Sequence, residues 1–365
     1  MARKAVVAMS GGVDSSVTAA LLVEAGYDVT GIMLKLWKGE DQNNNSGCCN
    51  LGAAEDARRV ADVLGIPFYV FNFADRFEET VIADFNATYA SGRTPNPCIR
   101  CNQWIKFDAL LDRAKQLGAD VLATGHYARV REAGGRYRLL RGVDAAKDQS
   151  YVLWMLTQSD LAHCRFPVGE MAKTETRRIA AELGLRTAAK ADSQEICFVR
   201  NGDLGSYLSE RVAAADRPGE IVDTAGTVVG EHAGIARYTI GQRKGLGISL
   251  GMPVFVTSID AGSDRIVVGD RSELGIERLT LDEVSFVDVP PEPHEEVLVQ
   301  YRAHGDAAPA RVEGPLDRPE IVFSDPVEAV APGQSAALYR SSDPDELLGG
   351  GIIRSTVRAS AERVA

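Results

Sequence analysis

Residues 10–16 read Ser-Gly-Gly-Val-Asp-Ser-Ser and combine residue types that bind an anion through the backbone. Gly11 and Gly12 reach backbone angles that other residues avoid and carry no Cβ, so main-chain N–H groups can close around a phosphate. The residues Asp14 to Ser16 are candidate N-caps of a following helix, whose unpaired amides add positive charge. The segment has neither the Walker nor the dinucleotide-binding spacing. Because the loop has no lysine, Mg²⁺ and side chains from elsewhere must neutralise the phosphates. We therefore predict a site that binds and splits ATP, in preference to an ordinary Gly-Gly turn before a helix.

Cysteine spacing marks a second reactive region. The chain contains Cys48, Cys49, Cys98, Cys101, Cys164 and Cys197, too few in a chain of this length for a disulfide scaffold. The pair Cys98 and Cys101 has the spacing of a redox motif or metal clip, whereas an isolated cysteine such as Cys197 is commonly a buried core thiol. A four-cysteine zinc site needs a second spaced pair, and Cys48 and Cys49 are adjacent. Chemistry at the ATP site is thus favoured over structural zinc.

The elements around these residues predict an open parallel α/β sheet. The apolar run 5–9 precedes the glycine loop, and the helical stretch 17–22 follows it. The same unit, a helix that ends in glycine and then an apolar strand, recurs at 23–34, 63–71 and 116–124, which predicts parallel strands with right-handed crossovers. Ligands bind such sheets at the carboxyl ends of the strands. Two polar excursions, 38–50 and 91–102, should overhang that end, and the second carries the Cys98–Cys101 pair ahead of a helix that begins near Gln103.

Past residue 201 the sequence changes to short β-rich runs between Gly, Pro and Asp. We predict three domains: an α/β, Rossmann-like catalytic domain (1–200), a small β-rich middle domain (201–275) and a C-terminal β-barrel domain (276–365).

Composition limits the partners. Hydrophobic residues make up 45% and charged residues 25% of the 365 residues, as in ordinary globular proteins. No apolar run is long enough to span a membrane, and the apolar run at 5–9 is too short for a signal peptide, so we expect no membrane partner and a cytoplasmic location. A net charge of −11 argues weakly against nucleic acid. A basic segment at 129–147, predicted to be a hairpin around 133–135, fits an RNA contact or a solvated face equally well.

The loop heptapeptide resembles the signature of the PP-loop ATP pyrophosphatases, which cleave ATP to AMP and pyrophosphate while they adenylate a substrate. A longer ordered set of segments is similar to the bacterial tRNA-specific 2-thiouridylases over nearly the whole chain. After the loop come Gly-Cys-Cys (47–49), Pro-Asn-Pro-Cys-Ile-Arg-Cys-Asn (95–102), Ala-Thr-Gly-His-Tyr-Ala-Arg (123–129), Lys-Asp-Gln-Ser-Tyr (147–151), Phe-Pro-Val-Gly (166–169), Asp-Ser (192–193), Ile-Cys-Phe (196–198), Tyr-Thr-Ile-Gly-Gln-Arg-Lys-Gly-Leu-Gly (238–247) and Pro-Gly-Gln (332–334).

This resemblance implies sulfur transfer to C2 of the wobble uridine in tRNA anticodons. ATP would adenylate the C2 oxygen, a persulfide on Cys197 would provide the sulfur, and Cys101 would assist release by closing a disulfide with Cys197. The sulfur would come from a cysteine desulfurase or a sulfur-relay protein. By position, the resemblance implies nucleotide contacts at Ala8, Met9, Ser10, Gly11, Gly12, Val13, Asp14, Ser15, Met33 and Gly125. It implies tRNA contacts at Asn96, Pro97, Cys98, His126, Lys147, Asp148, Gln149, Tyr301, Arg302 and Gln334.

One position departs from the pattern of this family. Well-known members have an aspartate, proposed to act in acid/base catalysis, where this chain has Cys98. Either Cys98 is a spectator or loose substitute and the persulfide route uses Cys101 and Cys197, or the three thiolates hold an iron–sulfur cluster with one iron open to sulfide.

Two other functions stay open from the residues alone. One is a PP-loop enzyme with an amine nucleophile, which would not need Cys101 or Cys197. The other is a non-catalytic RNA-binding or sulfur-carrier protein. In the thiouridylase interpretation the anticodon loop enters between the first two domains, and we expect Arg243 and Lys244 to contact RNA.

Overall fold

The computed structural model describes residues 2–37, 51–192, 196–199, 202–303 and 305–359. The predicted loop 38–50, with Cys48 and Cys49, lies outside these ranges. The described chain forms a parallel α/β sheet, a small middle sheet and a C-terminal barrel, which confirms the predicted fold class.

The first domain is a five-stranded parallel sheet. The strands up to residue 165 are β1 (Lys4–Ala8), β2 (Asp28–Lys35), β3 (Phe68–Asn72), β4 (Val121–Thr124), β5 (Ala128–Ala133), β6 (Arg136–Arg141) and β7 (Cys164–Arg165). Their sheet order is β3-β2-β1-β4-β7, with β5 and β6 outside it. Because the chain runs from β1 to β2 on one side and later returns to β4 on the other, the strand order reverses beside β1. Ligands bind open α/β sheets at such a crevice.

Helices cover both faces of this sheet. They are α1 (Val13–Glu24), α2 (Leu51–Leu64), α3 (Ala74–Phe77), α4 (Ala83–Ala90), α5 (Pro97–Arg100), α6 (Leu111–Gln116), α7 (Gln158–Leu161) and α8 (Lys173–Glu182), and α9 (Leu204–Arg211) follows this domain. The stretches Glu78–Ile82 and Cys101–Leu110 have π-helical hydrogen bonding and join α3 to α4 and α5 to α6. Short 3₁₀ turns lie at Ser150–Leu153, Pro167–Glu170, Arg186–Ala189, Ala213–Ala215, Ile235–Arg237 and Arg271–Leu274. No helix in the described ranges is both long enough and apolar enough to cross a lipid bilayer.

Two β domains follow. The middle sheet contains β8 (Gly219–Asp223), β9 (Val228–His232), β10 (Phe255–Asp260) and β11 (Arg265–Gly269) in the order β10-β11-β8-β9. The C-terminal strands are β12 (Gly275–Phe286), β13 (Glu296–Gln300), β14 (Ala308–Glu313), β15 (Glu320–Glu328), β16 (Ser335–Arg340) and β17 (Asp343–Arg358). Pairing between β12 and β17 closes these six strands into a barrel.

The β5–β6 hairpin joins the barrel although it belongs to the first 200 residues. Strand β6 pairs with β17 through Leu139 and Leu140, so the first domain and the barrel share a sheet. The basic residues of this segment are largely neutralised within the chain: Arg129 pairs with Asp345, Arg136 with Asp288, Arg138 with Glu346, Arg141 with Asp148 and Lys147 with Asp192. Most of these cations therefore have partners within the chain, and an RNA contact of this segment stays a prediction.

Candidate functional site

The glycine loop lies at the carboxyl end of β1, where the strand order reverses. Gly11 has φ +71°, and a Cβ there would lie 2.2 Å from the carbonyl oxygen of Ala53 in α2, so only glycine fits the turn. The N-cap of α1 is Gly12, which corrects the expectation that Asp14, Ser15 or Ser16 caps this helix. Instead, the hydroxyls of Ser15 and Ser16 both donate to the Gly12 carbonyl, at 3.2 and 2.8 Å. The amides at the start of α1 are thus left for a ligand.

A second strand end closes the crevice. Gly125 follows β4, and a Cβ at this position would lie 2.7 Å from the backbone nitrogen of Ser15. The predicted nucleotide contacts Met9 and Met33 are both buried, with Met33 in β2 next to β1. The structure therefore brings the loop, Met33 and Gly125 to the same edge of three adjacent strands.

Side chains from α8 and its flanks bring cations to the loop. The ammonium of Lys173 donates to both carboxylate oxygens of Asp14, at 2.7 and 2.8 Å, and lies 2.8 Å from a carboxylate oxygen of Asp192. Lys190 donates to the Gly11 carbonyl at 2.9 Å and pairs with Asp56 at 2.8 Å. These two lysines bring positive charge next to the loop, which has none of its own, and each is paired with carboxylates.

Asp192 collects three cations. Its carboxylate lies 2.8 Å from the Lys147 ammonium, 2.8 Å from that of Lys173 and 3.2 Å from the Arg177 guanidinium. Burial acts to raise the pKa of Asp192, but hydrogen bonds from Lys147 and Lys173 outweigh it and lower the pKa to about 2. Asp192 is therefore an anion at neutral pH, and it holds the three cations near the glycine loop.

Tyr127 completes the environment of Asp14. Its hydroxyl donates to Asp14 at 2.8 Å, and its oxygen lies 3.0 Å from the Thr176 hydroxyl of α8. The Lys173 ammonium lies 5.5 Å from the ring centroid. Burial raises the pKa of Tyr127, so the hydroxyl keeps its proton and acts as a donor. The orientation of Asp14 is thus fixed by two groups from outside the loop.

Two thiols lie on the first turns of a helix. This helix begins at Pro97 and not near Gln103, because proline suits the first helical position and the Asn96 side chain accepts a hydrogen bond from the Ile99 amide at 3.4 Å. Cys98 is exposed in α5, whereas Cys101 is buried and starts the π-helical stretch. Stretches of π-helix are frequent at functional sites.

Cys197 lies between two residues with defined contacts, Asp192 and Phe198. Before it, Asp192 is fixed by the cations beside the loop. After it, Phe198 is buried and packs edge-on against Phe77 and Phe85, with ring centroids 5.7 and 5.0 Å away. Cys197 itself is partly buried. Cys164, by contrast, is fully buried in β7, and burial raises its pKa, so it suits core packing.

The described residues contain no metal-binding arrangement of the cysteines. No set of three or more His, Cys, Asp or Glu side chains in these ranges is arranged to hold a metal ion. In this arrangement the thiols of Cys98, Cys101 and Cys197 therefore do not fit an iron–sulfur cluster.

The tRNA contacts predicted between residues 126 and 149 have partners within the protein. His126 is buried between the rings of Phe107 and Phe166. Burial, and after it the positive charge of nearby Lys106, holds the pKa of His126 well below its usual value. Asp148 accepts from Arg141 at 2.8 Å, and the Gln149 side chain accepts from the Tyr127 amide at 3.0 Å. These contacts give the residues a structural task, and their RNA contacts stay a prediction.

The tRNA contacts predicted in the barrel, at Tyr301, Arg302 and Gln334, lie in two separate places. Tyr301 is buried, and the guanidinium of Arg302, an exposed residue, lies 5.1 Å from its ring centroid. The Gln334 amide donates to the carbonyls of Thr94 and Pro95, at 3.0 Å each. Gln334 therefore contacts the segment that leads into Asn96, Pro97 and Cys98.

Sequence reasoning missed the side chains that surround the glycine loop. Tyr127 and Lys173 bond to Asp14, Lys190 bonds to Gly11, and Arg177 pairs with Asp192. Tyr127, Lys173, Arg177 and Lys190 come from 113 to 176 residues further along the chain than Asp14, and their own segments give no sign of a phosphate site. The available signal was the absence of lysine from the loop, because phosphates bound there need positive side chains from elsewhere in the chain.

The fold and the site define a nucleotide-binding α/β enzyme of the HUP class with two appended β domains. The family described as the tRNA methyl transferase HUP domain matches residues 3–201. The tRNA methyl transferase PRC-barrel domain matches 205–270, and the aminomethyltransferase beta-barrel domain matches 276–353.

Comparison over the full length gives the particular family. The tRNA-specific 2-thiouridylase MnmA of Roseiflexus sp. (strain RS-1) is 50% identical, over 96% of this chain and 99% of the relative. That of Mycolicibacterium gilvum (strain PYR-GCK) is 51% identical, over 97% and 99%. The chain belongs to the tRNA-specific 2-thiouridylase family, as the sequence motifs predicted. A solved 4-thiouridine synthetase–RNA complex with bound ATP aligns with 58% of this chain and 51% of that chain, at 17% identity and a TM-score of 0.36, a likeness too distant to support an argument.

Proposed function

We propose that this protein is a tRNA-uridine 2-sulfurtransferase that thiolates C2 of the wobble uridine at the expense of ATP. Family membership over nearly the full length is the observation that carries the proposal. The geometry of the loop and of the cysteines supports the two halves of the reaction.

The first half is adenylation. The Gly11–Gly12 turn and the α1 amides receive the phosphates of ATP, and Lys173 and Lys147 exchange part of their contact with Asp192 for the leaving pyrophosphate. The carbonyl oxygen of the base attacks the α-phosphate, and the bond to pyrophosphate breaks. Mg²⁺ would lower the charge on the pyrophosphate. It would be held mainly by phosphate oxygens and water, together with one carboxylate, for which Asp14 is the candidate.

The second half is sulfur transfer. A persulfide on Cys197 attacks C2, and AMP leaves with the former C2 oxygen. Cys101 attacks the Cys197 sulfur, so that a disulfide forms as the terminal sulfur passes to the base. The partial exposure of Cys197 suits loading by an external sulfur donor, a cysteine desulfurase or a sulfur-relay protein.

Mass spectrometry of tRNA nucleosides tests this function. The full-length protein is incubated with unmodified tRNA, ATP, Mg²⁺, a cysteine desulfurase and L-cysteine, with ATP omitted as the control. We expect 2-thiouridine at the wobble position only when ATP is present, with one AMP released per thiolation. Release of AMP together with a stable amine adduct of the nucleoside would instead assign the protein to the PP-loop enzymes that use an amine nucleophile.

The loop around Arg243 provides a test of tRNA binding. Arg243 and Lys244 are exposed and are the only charged residues between Tyr238 and Ile259. The Gln242 side chain shapes the loop, because it accepts from the Thr239 amide and donates to the Lys244 carbonyl.

Reversing both charges with Arg243→Glu and Lys244→Glu should weaken tRNA binding about tenfold or more and reduce the salt slope by about 2. Filter binding over a range of salt concentrations measures both quantities. Arg217 and Arg265 of the same domain pair with Asp264 and Glu220, so their reversal is the matched control and should have a smaller effect. Equal affinity and slope for the first variant and the wild type would remove this loop from the tRNA interface.

A further inference from the structure

The thiol-bearing turn is held from behind by a buried arginine. Arg100 lies between Cys98 and Cys101 in sequence, and its side chain is only 7% exposed. At 3.6 residues per turn, the side chains of Cys98 and Arg100 leave the helix about 200° apart. Arg100 therefore points to the side opposite Cys98, so it can fix the helix without covering that thiol.

Each nitrogen of this guanidinium donates at least one hydrogen bond. Its two terminal nitrogens donate to the two carboxylate oxygens of Glu283, at 2.6 and 2.7 Å, and one of them also donates to Gln103 at 3.0 Å. Nε lies 3.4 Å from the Asp84 carboxylate, and the guanidinium lies 4.6 Å from the centroid of the Trp104 ring. A planar, bidentate pair of this kind sets orientation as well as distance.

The barrel is deformed where it supplies the partner. Glu283 has φ +52°, in the left-handed region, and the register between β12 and β17 shifts between Asp282 and Ser285. A residue with a β-carbon rarely adopts this conformation, and such outliers cluster where function requires them. The bulge turns Glu283 towards Arg100, a residue 183 positions earlier in the chain.

The same segment is held on its other side by the barrel. The Thr94 amide donates to the Pro332 carbonyl at 2.9 Å, and the Gln334 side chain donates to the carbonyls of Thr94 and Pro95. The stretch between Thr94 and Arg100, which includes Asn96 and Cys98, is thus anchored at both ends by the C-terminal domain.

We propose that Arg100 and Glu283 are positioning residues for sulfur transfer: they form a latch through which the C-terminal barrel aligns the turn carrying Cys98 and Cys101 with the activated base. The inference rests on the proposed function, because the thiols act in its second half. The latch touches neither the glycine loop nor Lys173, so breaking it should leave adenylation intact and slow only the sulfur step.

Single-turnover reactions of the full-length protein with tRNA, ATP, a cysteine desulfurase and L-cysteine test the latch. The variant Glu283→Asn removes the charge, and asparagine tolerates a positive φ. We expect AMP release within about twofold of the wild type, while thiolation falls about 10- to 100-fold, with an unchanged KM for tRNA. Glu283→Asp should recover part of the loss, and Arg100→Lys, which keeps the charge but lacks the planar fork, should resemble Glu283→Asn.

Glu328→Gln is the matched control, because Glu328 of the same barrel forms an exposed pair with Arg271, which precedes β12. It should leave thiolation per AMP unchanged. If wild-type protein makes no 2-thiouridine, the proposed function fails. If the wild type thiolates and Glu283→Asn keeps the same ratio of thiolation to AMP release, or loses both in parallel with a lower melting temperature, the latch is structural only and the inference is overturned.

Discussion

Replacing Cys197 by serine is expected to reduce tRNA thiolation by at least about 1000-fold while tRNA-dependent pyrophosphate release stays within a few-fold of the wild type. Serine matches cysteine in shape, so the packing of the neighbouring Phe198 against Phe77 and Phe85 should be kept. A hydroxyl, however, cannot carry a transferable sulfur atom and is a weaker nucleophile than a thiolate at neutral pH. The loss should therefore fall on the second half-reaction alone.

Two assays on one sample separate these outcomes: release of labelled pyrophosphate from ATP, and 2-thiouridine by mass spectrometry of the digested tRNA. Cys164→Ala is the control, because Cys164 is fully buried in β7. It should cost ~1 kcal/mol of stability and leave the yield per AMP unchanged. If Cys197→Ser still thiolates at the wild-type rate, the sulfur does not pass through Cys197.

Cys98 needs the same measurement, because the sequence left its role open. If it is a spectator, Cys98→Ala should thiolate like the wild type. Cys98 is exposed in α5, so its substitution should disturb the fold little. A loss as large as that of Cys197→Ser would make Cys98 a full participant.

Features that depend on local sequence could be predicted well. The strand, glycine loop and helix at 5–22 stand next to one another in the chain, so the loop geometry follows from Gly11 and its neighbours. The β5–β6 hairpin follows in the same way from the glycines at 134 and 135, which both have positive φ. Family motifs then ordered the remaining segments along the chain.

Local signals misled at two helix starts. Asp14 and the serines after it are good capping residues in isolation, but Gly12 caps α1, while Asp14 bonds to Lys173 and Tyr127. At Pro97 the two prolines suggested a loop, although proline is favoured in the first turn once a side chain such as that of Asn96 caps the helix. In both cases the exact start decides which side chains face the site.

Contacts over long sequence separations were beyond sequence reasoning. Nothing near Arg100 indicates that a bulge in β12 supplies its partner, and nothing near β6 indicates that it will pair with β17. Strand β17 extends from Asp343 to Arg358 although glycines at 349–351 weaken its β pattern. Tertiary packing and pairing across domains decide these features.

Replacing Lys173 by methionine is expected to slow the ATP half-reaction by about 100- to 1000-fold and thiolation in proportion. Methionine keeps the length of the side chain and its packing beside Tyr127, but removes the charge that lies between Asp14 and Asp192. Without it, two carboxylates near the glycine loop repel each other and the incoming phosphates. Unlike the change at Cys197, this change should lower pyrophosphate release and thiolation by the same factor, because the sulfur step depends on the adenylated base.

Arg178→Ala is the matched control, since Arg178 lies on the same helix and pairs with Glu175 and Glu182 on its exposed face. It should leave pyrophosphate release unchanged. The uncompensated carboxylates of Lys173→Met should also lower stability by roughly 1–3 kcal/mol, because both are partly solvated, so activity is measured well below the melting temperature of the variant. Pyrophosphate release within about threefold of the wild type would show that the cations on Asp192 stabilise the fold and do not serve the leaving group.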